Sequence, residues 1–153
     1  MNTIVMKKLL DRCGTYCGRG INHEGLPFNG TLKMKSLLGE KGVGIEFEAS
    51  GDDGTTFHQE CTTIAPMITG GMKLFNLNSN SPGLVVHDFS SESIAVDGVE
   101  SVVFAFGRRN DKQSFREEIS IGLHPNGDLS YNYAWGMPGG EFAERSSATL
   151  KRN

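Results

Sequence analysis

The sequence predicts an all-β chain: an antiparallel up-and-down barrel of about ten strands, preceded by a short N-terminal helix. Three observations carry this. Apolar and polar residues alternate at period two through most of the chain, as where Val43, Ile45, Phe47 and Ala49 oppose Gly44, Glu46 and Glu48. Gly, Asn, Asp and Pro punctuate the alternating runs at short intervals, and Pro125-Asn126-Gly127-Asp128 is the strongest hairpin signal among them. Glycine makes up 20 of 153 residues, nearly twice the usual ~7%, with no collagen-like period.

The elements follow in order. The segment MNTIVMKKLLDRC is broken by Lys7 and Lys8 and has no small-residue cleavage site, so it reads as neither a signal peptide nor a membrane span. It predicts an amphipathic helix within residues 1–12, with Ile4, Val5, Leu9 and Leu10 near one face, plugging one barrel end. Cys13 to Gly20 predicts the opening strand, with Tyr16, Gly18 and Gly20 on one side, where another backbone or a ligand can come close. Further strands are predicted at 27–37, 43–49, 55–64, 71–77, 83–89, 93–96, 101–106, 115–123, 129–135 and 142–150. A meander of this kind has exposed edges unless it closes. Closure into a barrel spanning 14–152 of one 1–153 domain is therefore preferred over a two-sheet sandwich, which would need longer crossovers.

Charge and cysteines narrow the function classes. The formal net charge is −3 and no run of Lys or Arg exceeds two, which argues against a nucleic-acid groove. Cys13, Cys17 and Cys61 are odd in number. Cys13 and Cys17 would lie about 13 Å apart on an extended segment, too far to bridge. Reduced thiols and a cytoplasmic location are the expectation. Cys13, Cys17 and His23 have C-x3-C-x5-H spacing but lack the CxxC pairs of structural zinc, and no metal site is expected.

Two strands carry the candidate chemistry. In 55–64, His58, Glu60, Thr62 and Ile64 share one face, and Phe57, Gln59, Cys61 and Thr63 share the other. Neither face is cleanly apolar, which suits a wall beside a cavity, or else an exposed His58–Glu60 pair; the pattern does not select the inward face. In 129–135, Leu129, Tyr131, Tyr133 and Trp135 share a face, and buried phenols need hydrogen-bond partners. Phe104 and Phe106 read as plain core. Glu117 and Glu118 are adjacent, so on a strand they face opposite sides and form no catalytic carboxylate pair. No phosphate-cradling loop and no Gly-x-Ser-x-Gly nucleophile motif is present.

With these pieces placed, the chain resembles the nitrobindin-like proteins, a branch of the fatty-acid-binding and lipocalin (calycin) barrels. Gly14 to Gly20 is similar to that family's G-T-W-x-G-x-G strand, with Tyr16 for Trp. Phe57-His58-Gln59-Glu60 resembles its M-H-x-E strand, and Ala143 to Arg152 its closing P-H-L-x-A-x-L-x-R. The resemblance implies a ten-stranded barrel with an apolar cavity, and haem held by the His of the closing strand. Arg145 occupies that position here, and a guanidinium offers iron no lone pair, so no haem or other cofactor is expected through it. The function expected is non-catalytic binding of a small hydrophobic or amphipathic molecule, with an anion as one form of it. His58, Tyr131, Tyr133 and Arg145 are the expected polar contacts, and Phe28, Met34, Ile45 and Phe47 the walls. The alternatives are a haem-binding or small-molecule-converting barrel using His58, and a filled barrel serving as an interaction module. No nucleic-acid or membrane partner is expected, and a homodimer is a candidate assembly.

Overall fold

Ten antiparallel strands close on themselves around one interior, as the alternation predicts. The structure, a computed structural model, describes residues 2–153. Residue 1 of the predicted helical segment therefore lies outside the described residues. After α1 (Asn2–Leu10) come β1 (Gly14–Ile21), β2 (Pro27–Leu37), β3 (Gly42–Ser50), β4 (Thr56–Pro66) and β5 (Met72–Asn78). β6 (Val85–Ile94), β7 (Glu100–Phe106), β8 (Arg116–Leu123), β9 (Leu129–Gly136) and β10 (Ala143–Arg152) complete the wall. Each strand pairs with its neighbours in sequence, and β1 pairs with β10 to close the barrel.

The period-two pattern decides which side chains go in. Along β2, Phe28, Leu32 and Met34 are buried while Asn29, Thr31, Lys33 and Lys35 face out. A one-residue slip would turn the whole apolar set to water, so each register is strongly specified. At Gly18 and Gly20 of β1 a side chain would strike the β10 carbonyls of Thr149 and Ser147, so the seam requires glycine at both.

The helix covers one end. Val5, Met6 and Leu9 are buried, and full burial of a leucine such as Leu9 contributes roughly 1.5–3 kcal/mol. The apolar face is rotated from the one the sequence suggests: Ile4 is exposed and Met6 takes its place, because Val5 and Leu9, one turn apart, define the inward line. Arg12 ties the helix end to the β8–β9 turn, donating from Nη2 to the His124 carbonyl at 2.9 Å and from Nη1 to that of Asp128 at 3.3 Å. Lys8 reaches Glu100 at 2.6 Å and Glu92 at 3.3 Å.

Two other expectations are corrected. The predicted strands at 83–89 and 93–96 are one strand, β6, with a register shift between Phe89 and Ser91. Its polar stretch Ser90-Ser91-Glu92-Ser93 faces solvent yet keeps pairing with β7, so polarity there marks an exposed face and no turn. Phe104 is fully buried, but Phe106 is 40% exposed, because it sits at the open rim, packed on Phe115 and His87.

Candidate functional site

Polarity inside the barrel is graded along its axis. Below the helix the filling is apolar: Met34, Val43, Ile45, Ile64, Leu74, Ile121 and Leu123 are all buried. Midway, the inward face of β4 is the His58–Glu60–Thr62–Ile64 face, and Glu60 becomes the hub of a buried network. Its Oε2 accepts from Tyr131 Oη at 2.7 Å, Thr62 Oγ1 at 2.8 Å and Asn76 Nδ2 at 2.8 Å. Its Oε1 accepts from Tyr133 Oη at 2.9 Å and His58 Nε2 at 3.1 Å. Asn80 Nδ2 donates to His58 Nδ1 at 2.9 Å, which fixes the imidazole proton on Nε2, facing Glu60. Asn78 Nδ2 donates to Asn76 Oδ1 at 2.6 Å and extends the chain of amides to the rim. Burial first, and then the neighbouring Glu60 carboxylate, hold the phenols of Tyr131 and Tyr133 well above the ordinary tyrosine range, so both remain donors. Five donors saturate the carboxylate, and both nitrogens of His58 are taken.

A second buried pair lies nearer the rim. His87 Nε2 donates to Glu117 Oε1 at 2.8 Å, while His87 Nδ1, fully enclosed, has no partner among the described residues. Glu118, the next residue, faces outward and takes a bidentate pair from Arg109, Nε at 2.6 Å and Nη2 at 2.8 Å. The two glutamates thus face opposite sides of β8.

Above these networks, at the end away from the helix, lies a cavity of about 290 Å³. Phe28, Phe47, Phe57, Phe115 and Trp135 form its walls; His58, Asn78, Asn80, Ser81, Glu117 and Tyr133 supply polar edges. Of the residues singled out in the sequence, His58, Tyr133, Phe28 and Phe47 meet at this cavity. Tyr131 stands behind it on Glu60, and Met34 and Ile45 belong to the sealed core toward the helix.

Arg145 does not reach the interior. Strand β10 carries a bulge between Glu144 and Ser146, so Arg145 is the extra residue and Ser146 lines the cavity. The Arg145 side chain donates from Nη2 to the Glu141 carbonyl at 2.7 Å and from Nε to that of Trp135 at 3.3 Å. It cannot serve there as the anion contact expected of it.

Sequence reasoning missed Asn76, Asn78 and His87, and considered Glu117 only as a carboxylate pair with Glu118. Their signal was parity: Asn76 and Asn78 continue the inward row of Met72 and Leu74, and Glu117 that of Ile119 and Ile121. The three cysteines are free, and Cys17 and Cys61 are exposed. Among the described residues no group of three or more His, Cys, Asp or Glu is arranged to hold a metal ion, and no helix is long and apolar enough to cross a membrane.

No protein-family model and no curated protein matches the sequence. Among solved structures, the crystal structure of Rv2717c from M. tuberculosis is similar over 97% of this chain and 96% of its own, with a TM-score of 0.71 at 16% identity. Likeness at that identity is likeness of fold, and the fold is a closed ten-stranded antiparallel barrel.

Proposed function

We propose that the barrel binds a small, partly apolar molecule in the cavity at its open end, without transforming it. The observation that carries this reading is the cavity itself: aromatic walls around a few converging polar groups, above a core in which Glu60 and His58 are fully engaged. A volume of about 290 Å³ accommodates a compact amphipath, and it argues against a filled barrel acting only as an interaction module. The Glu60 network supports binding without catalysis at His58. His58 would have to surrender its bond to Glu60 or Asn80 before acting as a base, and Glu60 has no lone pair to spare.

Haem, held at the position the nitrobindin-like resemblance implies or by His58, does not fit the residues there. Arg145 holds the expected axial position and is spent on two backbone carbonyls, and both nitrogens of His58 are hydrogen-bonded.

Trp135 is the only tryptophan and lines the cavity, so its emission reports occupancy. Titration with phenylbutanol should shift that emission saturably, and Ala49→Phe, which fills the cavity from the wall, should abolish the shift while the far-UV spectrum is retained. An unchanged response in a folded Ala49→Phe variant would place binding elsewhere. Haemin should give no sharp Soret shift, and native mass spectrometry of freshly purified protein should show a co-purified organic mass.

A further inference from the structure

Resting on the cavity reading above, the geometry points to a ligand class: we infer that the cavity selects an organic cation, an amine on an apolar body, over neutral or anionic molecules of the same shape. Glu117 carries the argument. Only its Oε1 is hydrogen-bonded, to His87; its Oε2 takes no hydrogen bond from the described residues, and the residue lines the cavity. The carboxylate is set in an aromatic belt. Glu117 lies directly opposite Trp135 across β9 and opposite Phe106 across β7, and side chains so paired stand about 4.5–5.5 Å apart at Cβ. Phe115 packs on Phe106, and Tyr133 is held two residues before Trp135 on the same inward face of β9.

No lysine or arginine among the described residues lines this space. The nearest in sequence, Arg116, points to the other side of the sheet, where its guanidinium donates to four backbone carbonyls, at 2.7 Å to Gly140 and 2.9 Å to Met137 among them. His23 also borders the cavity, half-exposed, its ring centroid 5.6 Å from that of Trp135 and its Nε2 3.6 Å from Glu24 Oε1. An anion entering the cavity would therefore meet a carboxylate and the negative faces of aromatic rings with no lysine or arginine to compensate. An ammonium would find the free carboxylate oxygen as acceptor and the ring faces as cation–π partners, which strengthen as water is excluded. The interior also holds a second carboxylate, Glu60, deeper along the same axis, whose field has the same sign.

The test uses three probes sharing one carbon skeleton, phenylbutylamine, phenylbutanol and phenylbutyrate, titrated calorimetrically into the full chain at neutral pH. The amine is expected to bind at least about tenfold tighter than the alcohol, and the carboxylate weakest. Glu117→Gln, which keeps the shape and an acceptor for His87, should bring amine and alcohol to within about threefold, with alcohol affinity retained. Trp135→Leu should weaken the amine more than the alcohol. If wild type binds the alcohol as well as the amine, or the carboxylate best, the cation inference is overturned while the cavity reading stands. If none of the three binds, the cavity reading itself fails.

Discussion

Replacing Glu60 tests the most concentrated interaction in the molecule. Its carboxylate receives five donors inside the barrel. In Glu60→Leu, Asn76 keeps Thr62 and Tyr133 as acceptors at 2.9 and 3.1 Å, and His58 borders the cavity, where water can reach it. The hydroxyls of Tyr131, Tyr133 and Thr62 are stranded, and Tyr131 most completely. At about 1–3 kcal/mol for each orphaned buried donor, partly relieved by rotation, the expected loss is about 3–6 kcal/mol. Since a domain is held by only about 5–15 kcal/mol, the variant should be close to unfolding. Glu60→Gln should cost about 1–2 kcal/mol. Its oxygen can still accept from Tyr131, Thr62 and Asn76, and the Tyr133 hydroxyl can turn to accept from the new amide. His58 must then shift its proton to Nδ1 and the Asn80 amide must flip. Urea denaturation followed by far-UV circular dichroism gives both numbers. Adding Tyr131→Phe to Glu60→Leu removes one stranded donor and should recover about 1–3 kcal/mol. A Glu60→Leu protein as stable as wild type would refute the reasoning, since it would mean the donors find other partners at no cost.

Other consequences are as open to measurement. All three tyrosines, Tyr16, Tyr131 and Tyr133, have folded-state pKa values raised chiefly by burial. Below about pH 10 they are protonated in both states and stability is unaffected. Above it the unfolded chain ionises first, and stability should fall by up to about 1.4 kcal/mol per pH unit for each tyrosine. Denaturation series from neutral to strongly alkaline pH should show this slope, with phenolate absorbance appearing together with unfolding; ionisation near pH 10 in an intact barrel would contradict it. Gly136→Ala should displace the Arg116 guanidinium, which lies over Gly136 with Nη2 2.7 Å from where a Cβ would be. The expected loss is about 2–4 kcal/mol, matched by Arg116→Met and not doubled in the combined variant, which a double-mutant cycle reads directly. Thiol reagent should consume Cys17 and Cys61 quickly in the native protein and Cys13 slowly, because Cys13 is half-buried and burial raises its thiol pKa; unfolded, non-reduced protein should yield three thiols.

The barrel was legible because one face of each strand is buried, and burial writes itself into alternation. Phe28, Leu32 and Met34 could go only one way. The site was less legible because its residues are polar on an inward face, and alternation alone does not say which of two polar faces is enclosed. His58 and Glu60 stood out for that reason, yet their direction follows only from the register of β4 against Phe47 and Asn76. Asn76 and Asn78 were hidden by Phe75 and Leu77 beside them, which offered a competing apolar face. Arg145 was misplaced because a bulge is a single extra residue with no compositional mark, and it breaks the count that assigns every later side chain to inside or outside.

Every pairing but one joins strands that follow each other in the chain. The exception, β1 with β10, brings Tyr16 opposite Arg152, and Asn153 donates its amide to the Thr15 carbonyl at 2.9 Å. During synthesis the first nine strands can therefore form successive hairpins, but they accumulate as an open sheet with two bare edges until β10 emerges. Until then Glu60 and its donors remain wet. The dry interior is acquired in one closing event, which long-range pairing makes slow relative to the hairpins. The same seam sets the end of β10 beside the start of β1, just past the helix. Cutting at the 125–128 turn and reconnecting the chain through a linker that passes the helix would preserve every pairing while moving the late step to a different place in the wall, so the order of folding can be changed without changing the fold.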